Sequence, residues 1–173
     1  MARSVWLLHP CWGSVWRVAC GVWRVALCSA VDHPFISDVK NPSALPCPCG
    51  RLVAKNPLAY ADCCGRYLDH FATTPAPDAE SLMRSRYSAF VQGRTDYLAA
   101  TWHPGTRPVD VAADQGTKWL GLDVRAHRVV DADHADVTFV ARYWLAGRGV
   151  RLHEHSRFVR EAGRWLYVNG EAL

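Results

Sequence analysis

Four of the seven cysteines lie in one 18-residue window: Cys47-Pro48-Cys49-Gly50, answered thirteen residues later by Cys63-Cys64-Gly65. Two close pairs of thiols joined by a loop can supply four ligands to one tetrahedral metal ion. Gly50 and Gly65 follow the pairs, where the chain must bend sharply around an ion. Pro46 and Pro48 hold the entry extended and stiffen the first turn. The spacing is C-x-C and C-C rather than two C-x-x-C knuckles, so adjacent Cys63 and Cys64 can share an ion only if the backbone kinks between them. The alternatives are two disulfides or plain buried thiols. Two oxidised pairs suit a secreted chain, and nothing here clearly directs secretion. The spacing therefore favours a zinc site of Cys47, Cys49, Cys63 and Cys64, structural because four thiolates leave no open coordination position.

A second group of reactive side chains lies downstream. Alternation puts Leu152, Glu154, Ser156 and Phe158 on one face of a strand, and His153, His155, Arg157 and Val159 on the other. A carboxylate between Leu152 and Phe158 could serve as the base of an enclosed pocket, with Tyr87, Trp102 and His103 around it. The structural reading of Glu154 is an ion pair with Arg84 or Arg86 from a neighbouring helix, and that reading is preferred. His103, before Pro104, either serves as an acid–base group or caps a helix C-terminus. His153 and His155 form an H-x-H pair without a third ligand nearby and read as solvent-facing. No Gly-rich phosphate loop, G-x-S-x-G or H-E-x-x-H occurs.

The elements that must position these groups can be read from periodicity. Asp78 is an N-cap for a helix over Ala79 to Gln92, with Leu82, Arg86 and Phe90 on one row and Met83, Tyr87 and Val91 on the next; Gly93 stops it. Thr95 or Asp96 starts a second helix running through Trp102, and 106–117 is loop or a short helix. From Trp119 the period changes to two. Leu120, Leu122, Val124 and Ala126 alternate, a turn spans Asp131 to Asp136, and Val137, Phe139, Ala141 and Tyr143 alternate again. Ala146-Gly147-Arg148-Gly149 turns the chain into a strand over 150–160, and Glu161-Ala162-Gly163 into another over 164–169. Helices followed by a meander of strands predict an α+β fold with an antiparallel sheet packed on helices.

Cys-Pro-Cys-Gly, a tyrosine-bearing loop and Cys-Cys-Gly resemble the SEC-C motif, the zinc module named from the tail of the SecA translocase. Read together with Leu82-Met83-Arg84-Ser85-Arg86-Tyr87-Ser88-Ala89-Phe90 and Tyr97-Leu98-Ala99-Ala100-Thr101-Trp102-His103-Pro104, the chain resembles the bacterial YchJ family over about 47–170. The loop from Gly50 to Asp62 is longer than the usual motif and lacks its paired lysines. Many relatives carry a second such motif at the C-terminus, and no cysteine follows Cys64 here. The resemblance implies a nuclear transport factor 2-like domain, a curved sheet wrapped into a cone around a helix, placed after the zinc module. It implies the domains 1–45 (extension and linker), 46–72 (SEC-C-like module) and 75–173 (nuclear transport factor 2-like). Related motifs dock SecB or ribosomal surfaces, so it also implies an adaptor contacting a protein or ribosomal partner. The rival reading is a small-molecule binder or enzyme using the cone pocket. An open interior with Glu154 unpaired would favour the rival; a filled one with Glu154 held by arginine would favour the adaptor.

Residues 1–45 read differently. They hold four of the eight tryptophans and three cysteines (Cys11, Cys20 and Cys28), and Val15-Trp16-Arg17-Val18-Ala19 recurs as Val22-Trp23-Arg24-Val25-Ala26. Arg17 and Arg24 interrupt any membrane span or signal h-region, and Leu27 is not the small residue a lipid-modified Cys28 would need. The expectation is an incidental extension translated from an upstream start. The net charge is +4, and Arg3, Arg17, Arg24 and Lys40 against Asp32 and Asp38 supply half of it. What remains is too weak for a nucleic-acid footprint. The expected setting is cytoplasmic, with no membrane partner and a homo-oligomer left open.

Overall fold

Asp78 takes an extended backbone and its side chain accepts the Ser81 N–H at 2.6 Å, which starts the longest helix among the described residues. In this computed structural model, residues 44–112 and 116–173 are described. The Trp-Arg repeat, the three N-terminal cysteines and the expected extension lie outside the described residues. Two short antiparallel strands come first, β1 (Leu52–Val53) and β2 (Asn56–Pro57), then a single helical turn, α1 (Gly65–Leu68). The capped helix is α2 (Ala79–Gln92), closed by Gly93 at φ +68, and α3 (Thr95–Ala100) follows. Four strands complete the chain: β3 (Lys118–Val129), β4 (His134–Leu145), β5 (Arg148–Glu161) and β6 (Arg164–Ala172). They form one antiparallel meander in sequence order.

The fold is thus α+β, a curved sheet on helices. Its curvature has identifiable causes. The ladder slips at Trp119/Gly121 and at Val124/Ala126 in β3 and, opposite Arg157/Phe158 of β5, at Val168 in β6, and such bulges bend and twist a strand. The first slip also corrects the simple alternation. Leu120 is the extra residue and half exposed, whereas Trp119, Leu122 and Val124 pack on the core. Val91, placed by period on the buried face of α2, is also exposed.

Several boundaries shift. The second helix ends at Ala100 rather than Trp102, because Trp102 and His103 leave it to join β6: Tyr167 N–H donates to Thr101 O at 2.9 Å and His103 N–H to Tyr167 O at 2.8 Å. The turn between β3 and β4 covers only 130–133. The two later turns are two-residue loops, Ala146-Gly147 and Ala162-Gly163, all at positive φ, the backbone that two-residue hairpins require.

The core lies between α2 and the concave face of the sheet. Leu82, Met83 and Tyr87 meet Phe139, Ala141 and Phe158, all buried. Each large side chain so buried contributes about 1.5–3 kcal/mol. The cysteine module packs on the same core through Tyr67 and Leu68.

Candidate metal centre and cavity

The first cysteine pair sits on a tight turn. Cys47 N–H donates to Leu58 O, and Gly50, at φ +66, closes the turn with an N–H to Cys47 O at 3.0 Å. The second pair is set by Tyr60, whose carbonyl accepts the N–H groups of Cys63 and Gly65 at 3.1 and 2.8 Å. A side chain on Gly65 would run into the Tyr60 ring and carbonyl, so glycine is required there for close approach. These two devices produce the kink that adjacent ligands need.

All four Sγ atoms are buried and lie within 4.8 Å of one another. The thiols are free, and Cys49 and Cys63 approach to 3.6 Å, far beyond a disulfide bond. Cys63 and Cys64 are 4.0 Å apart. A tetrahedron of thiolates bonded to zinc at about 2.3 Å has edges of about 3.8 Å, between these two separations. The donor set therefore fits a thiophilic divalent ion. The electrostatics agree. Hydrogen bonds from the Cys49, Cys63 and Cys64 thiols pull the Cys47 thiol far down, while hydrogen bonding with Cys47, Cys49 and Cys63 and then burial push Cys64 far up.

The cluster is fastened to α2. Cys47 Sγ lies 3.7 Å from Ser88 Oγ, and Arg84 donates from Nη1 to the Cys49 carbonyl at 3.3 Å. Glu80 accepts from Arg84 Nε at 2.7 Å and from Arg51 Nη2 at 3.3 Å. Those two guanidinium groups hold the Glu80 carboxyl below its usual range against the opposing effect of its partial burial.

The second site is a cavity of about 260 Å³ between α2 and the sheet. Leu152, Glu154, Ser156 and Phe158 all line it, as alternation along β5 places them, together with Tyr87, Trp102 and Arg86. The expected ion pair of Glu154 with an arginine is not formed. Glu154 Oε1 instead accepts the hydroxyls of Ser156 at 2.5 Å and Tyr167 at 3.5 Å. Arg84 lies at the metal centre. Arg86 is buried in the cavity wall, donating from Nη1 to Leu98 O and Thr101 Oγ1, both at 2.8 Å, with its guanidinium over the Trp102 and Tyr167 rings at 5.0 and 4.6 Å. Burial lowers it to about 10, so it remains a cation at neutral pH. The physical reason for the missing pair is that the carbonyl at the end of α3, Thr101 and two ring faces already stabilise this charge.

His103 is outside the cavity, with its Nε2 3.3 Å from Glu161 and its Nδ1 accepting the Gly105 N–H. His155 belongs to the opposite face, beside Thr138 and Asp136. Sequence reasoning missed Tyr167 and Trp119 as cavity residues. Tyr167 shares a face with Trp165 two residues earlier, which was the available signal; Trp119 was hidden by the bulge beside it.

The comparisons with known proteins agree with this architecture. Residues 78–170 match the family model described as YchJ, middle NTF2-like domain. A UPF0225 protein from a Polaromonas species is 67% identical over 127 residues, covering 72% of this chain and 91% of that protein. A SEC-C motif containing protein from Psychrobacter arcticus superposes with a TM-score of 0.64 at 31% identity, over 74% of this chain and 82% of that one. A SEC-C motif containing protein from Rhodopseudomonas palustris gives 0.64 at 32% identity, over 75% and 99%.

Proposed function

This chain belongs to the YchJ-like, UPF0225 family, and from that premise we propose that it is a zinc protein whose SEC-C module presents a docking tip to a protein partner. Cys47, Cys49, Cys63 and Cys64 would hold the ion, and its role is structural, because four thiolates fill the coordination shell. The observation that supports the docking role is the β1–β2 hairpin. It projects from the ligand loop with Leu52 and Val53 58% and 57% exposed, an apolar pair with no core to serve. An apolar tip and a weak net charge fit a protein surface better than a nucleic acid. No helix among the described residues is long and apolar enough to cross a membrane. A cytoplasmic setting is part of the proposal, supported by thiols kept free for a metal.

Metal analysis of the purified chain tests the first part. About one zinc per chain is expected; single serine substitutions at the four ligands lose it, and joint replacement of Cys11, Cys20 and Cys28 does not. For the second part, zinc-loaded wild type and a Leu52→Ser, Val53→Ser variant are compared as baits under crosslinking. The same crosslinked partners from both baits would rule out the hairpin as the docking element.

A second reading concerns the cavity, which serves as a binding site for a small molecule. Its open volume, and a Glu154 carboxylate held by the Ser156 and Tyr167 hydroxyls rather than by an arginine ion pair, support it.

A further inference from the structure

We propose that the cavity binds a small, net-neutral aromatic molecule carrying a carboxamide or ring lactam, an acceptor and a donor on neighbouring atoms. This rests on the reading of the cavity as a ligand site and adds the chemistry of its occupant.

The polar end of the cavity carries two kinds of unspent capacity. On the donor side, both hydrogen bonds of Arg86 leave from Nη1, so its other nitrogens are available to a guest. On the acceptor side, Ser156 and Tyr167 both bind Glu154 Oε1, leaving Oε2 uncommitted. A guest that only accepts would satisfy Arg86 but face the Glu154 charge. A guest that only donates would satisfy Glu154 but face the guanidinium. One positive and one negative group in the same enclosure favour a neutral guest offering both functions, and a planar amide does so.

The remaining wall sets the body of the guest. Phe90, Trp119, Phe139 and Phe158 join Tyr87 around the space. Tyr87 and Phe90 both pack against Trp119, with ring centroids 5.3 and 5.6 Å apart. Such a lining favours a flat ring. The volume of about 260 Å³ lies just below the range of drug-sized sites, which limits the guest to a single or fused ring.

Three probes of one shape separate the possibilities: benzamide, benzoate and benzamidine. Binding to the full chain with its metal is read by ligand-observed NMR, which detects weak fragments. Benzamide is expected to bind about tenfold or more tighter than either charged analogue, as for a site whose buried polar groups would otherwise go unpaired. Benzoate or benzamidine binding as tightly as benzamide overturns the ligand class while leaving the cavity as a binding site. No binding by any of the three overturns the cavity reading itself. Glu154→Gln, checked for an unchanged fold by its NMR spectrum, removes the negative charge. It should raise benzoate binding relative to benzamide, and an unchanged ratio also overturns the assignment.

Discussion

Arg84 of α2 donates to the backbone carbonyl of Cys49, a residue of the metal-type cluster, at 3.3 Å, while its Nε holds Glu80 of the same helix. The contact joins the ligand loop to the helix that also forms one wall of the cavity. A metal bound by the four cysteines would therefore stiffen more than its own loop. It would fix the position of α2, and with it Met83, Arg86 and Tyr87, over the sheet.

Metal removal should weaken the whole domain. A chelator-stripped chain, or Cys64→Ser, is expected to lower the thermal midpoint by more than about 4 °C, corresponding to over about 1 kcal/mol. Arg84→Met should cost about 1.5–3 kcal/mol in the metal-loaded chain, the usual worth of a charged hydrogen bond. In the stripped chain the same substitution should cost less, by about 0.5 kcal/mol or more, because members of one network are not additive. Urea unfolding with and without metal measures both. An equal cost in the two states would mean that Arg84 does not connect the cluster to the helix.

The ends of α2 give a second test, independent of the metal. Asp78→Ala removes the acceptor for the Ser81 N–H and should destabilise by about 1 kcal/mol. Gly93→Ala places a side chain at φ +68 and should cost a similar amount, about 1 kcal/mol. Changes below about 0.3 kcal/mol at both sites would show that packing alone fixes this helix.

Stability should fall steeply above pH 10. Tyr60, Tyr87, Tyr97 and Tyr167 are each pushed up to about 12, mainly by burial. For an acid raised in the folded state, the unfolded chain loses its proton first. The stabilisation is complete below about pH 10 and disappears as pH rises towards 12. Arg86 works in the opposite sense: lowered to about 10 by burial, it favours folding more as pH climbs from 10 towards its ordinary value. Four tyrosines outweigh one arginine, so the net slope is negative. Tyrosinate absorbance against pH, followed beside unfolding, checks this. Four tyrosines titrating near pH 10 in the folded chain would contradict it.

Much of this architecture is readable from residue order because its signals are local. The helix from Ala79 to Gln92 announces itself by Asp78, its period and Gly93, and the strands by alternation and by turns, two of which carry glycine. The cysteine spacing specifies a cluster because few other arrangements bring four thiols together. What could not be read depends on register and on competition between distant partners. The extra residue at Leu120 puts Trp119 rather than Leu120 on the inward face of β3, and composition does not mark a bulge. Glu154 has two arginines within reach on paper. Which of them pairs depends on where α3 ends and on whether Leu98 O, Thr101 and two aromatic faces have already taken the guanidinium. The exposed Leu52-Val53 tip was likewise unreadable, since two-residue strands carry no period.

The last prediction concerns Gly170, which lies opposite Ser156 in the ladder between β5 and β6. The Glu154 side chain folds across it, and a methyl group added at Gly170 would overlap the Glu154 carboxyl and its Cγ. The atoms in the way belong to a flexible side chain, and Gly170 itself is exposed, so the strand need not break. Gly170→Ala should therefore drive Glu154 off the Ser156 and Tyr167 hydroxyls and further into the cavity. The lost hydrogen bonds predict a cost of about 1 kcal/mol. Benzamide binding should weaken by about tenfold, because the displaced carboxylate takes up space and no longer presents Oε2 in place. In a Glu154→Gly background the overlap is absent, and Gly170→Ala should then cost little beyond what Glu154→Gly costs alone. Two costs that simply add would place the effect of Gly170→Ala in the backbone of β6 and leave Glu154 uninvolved.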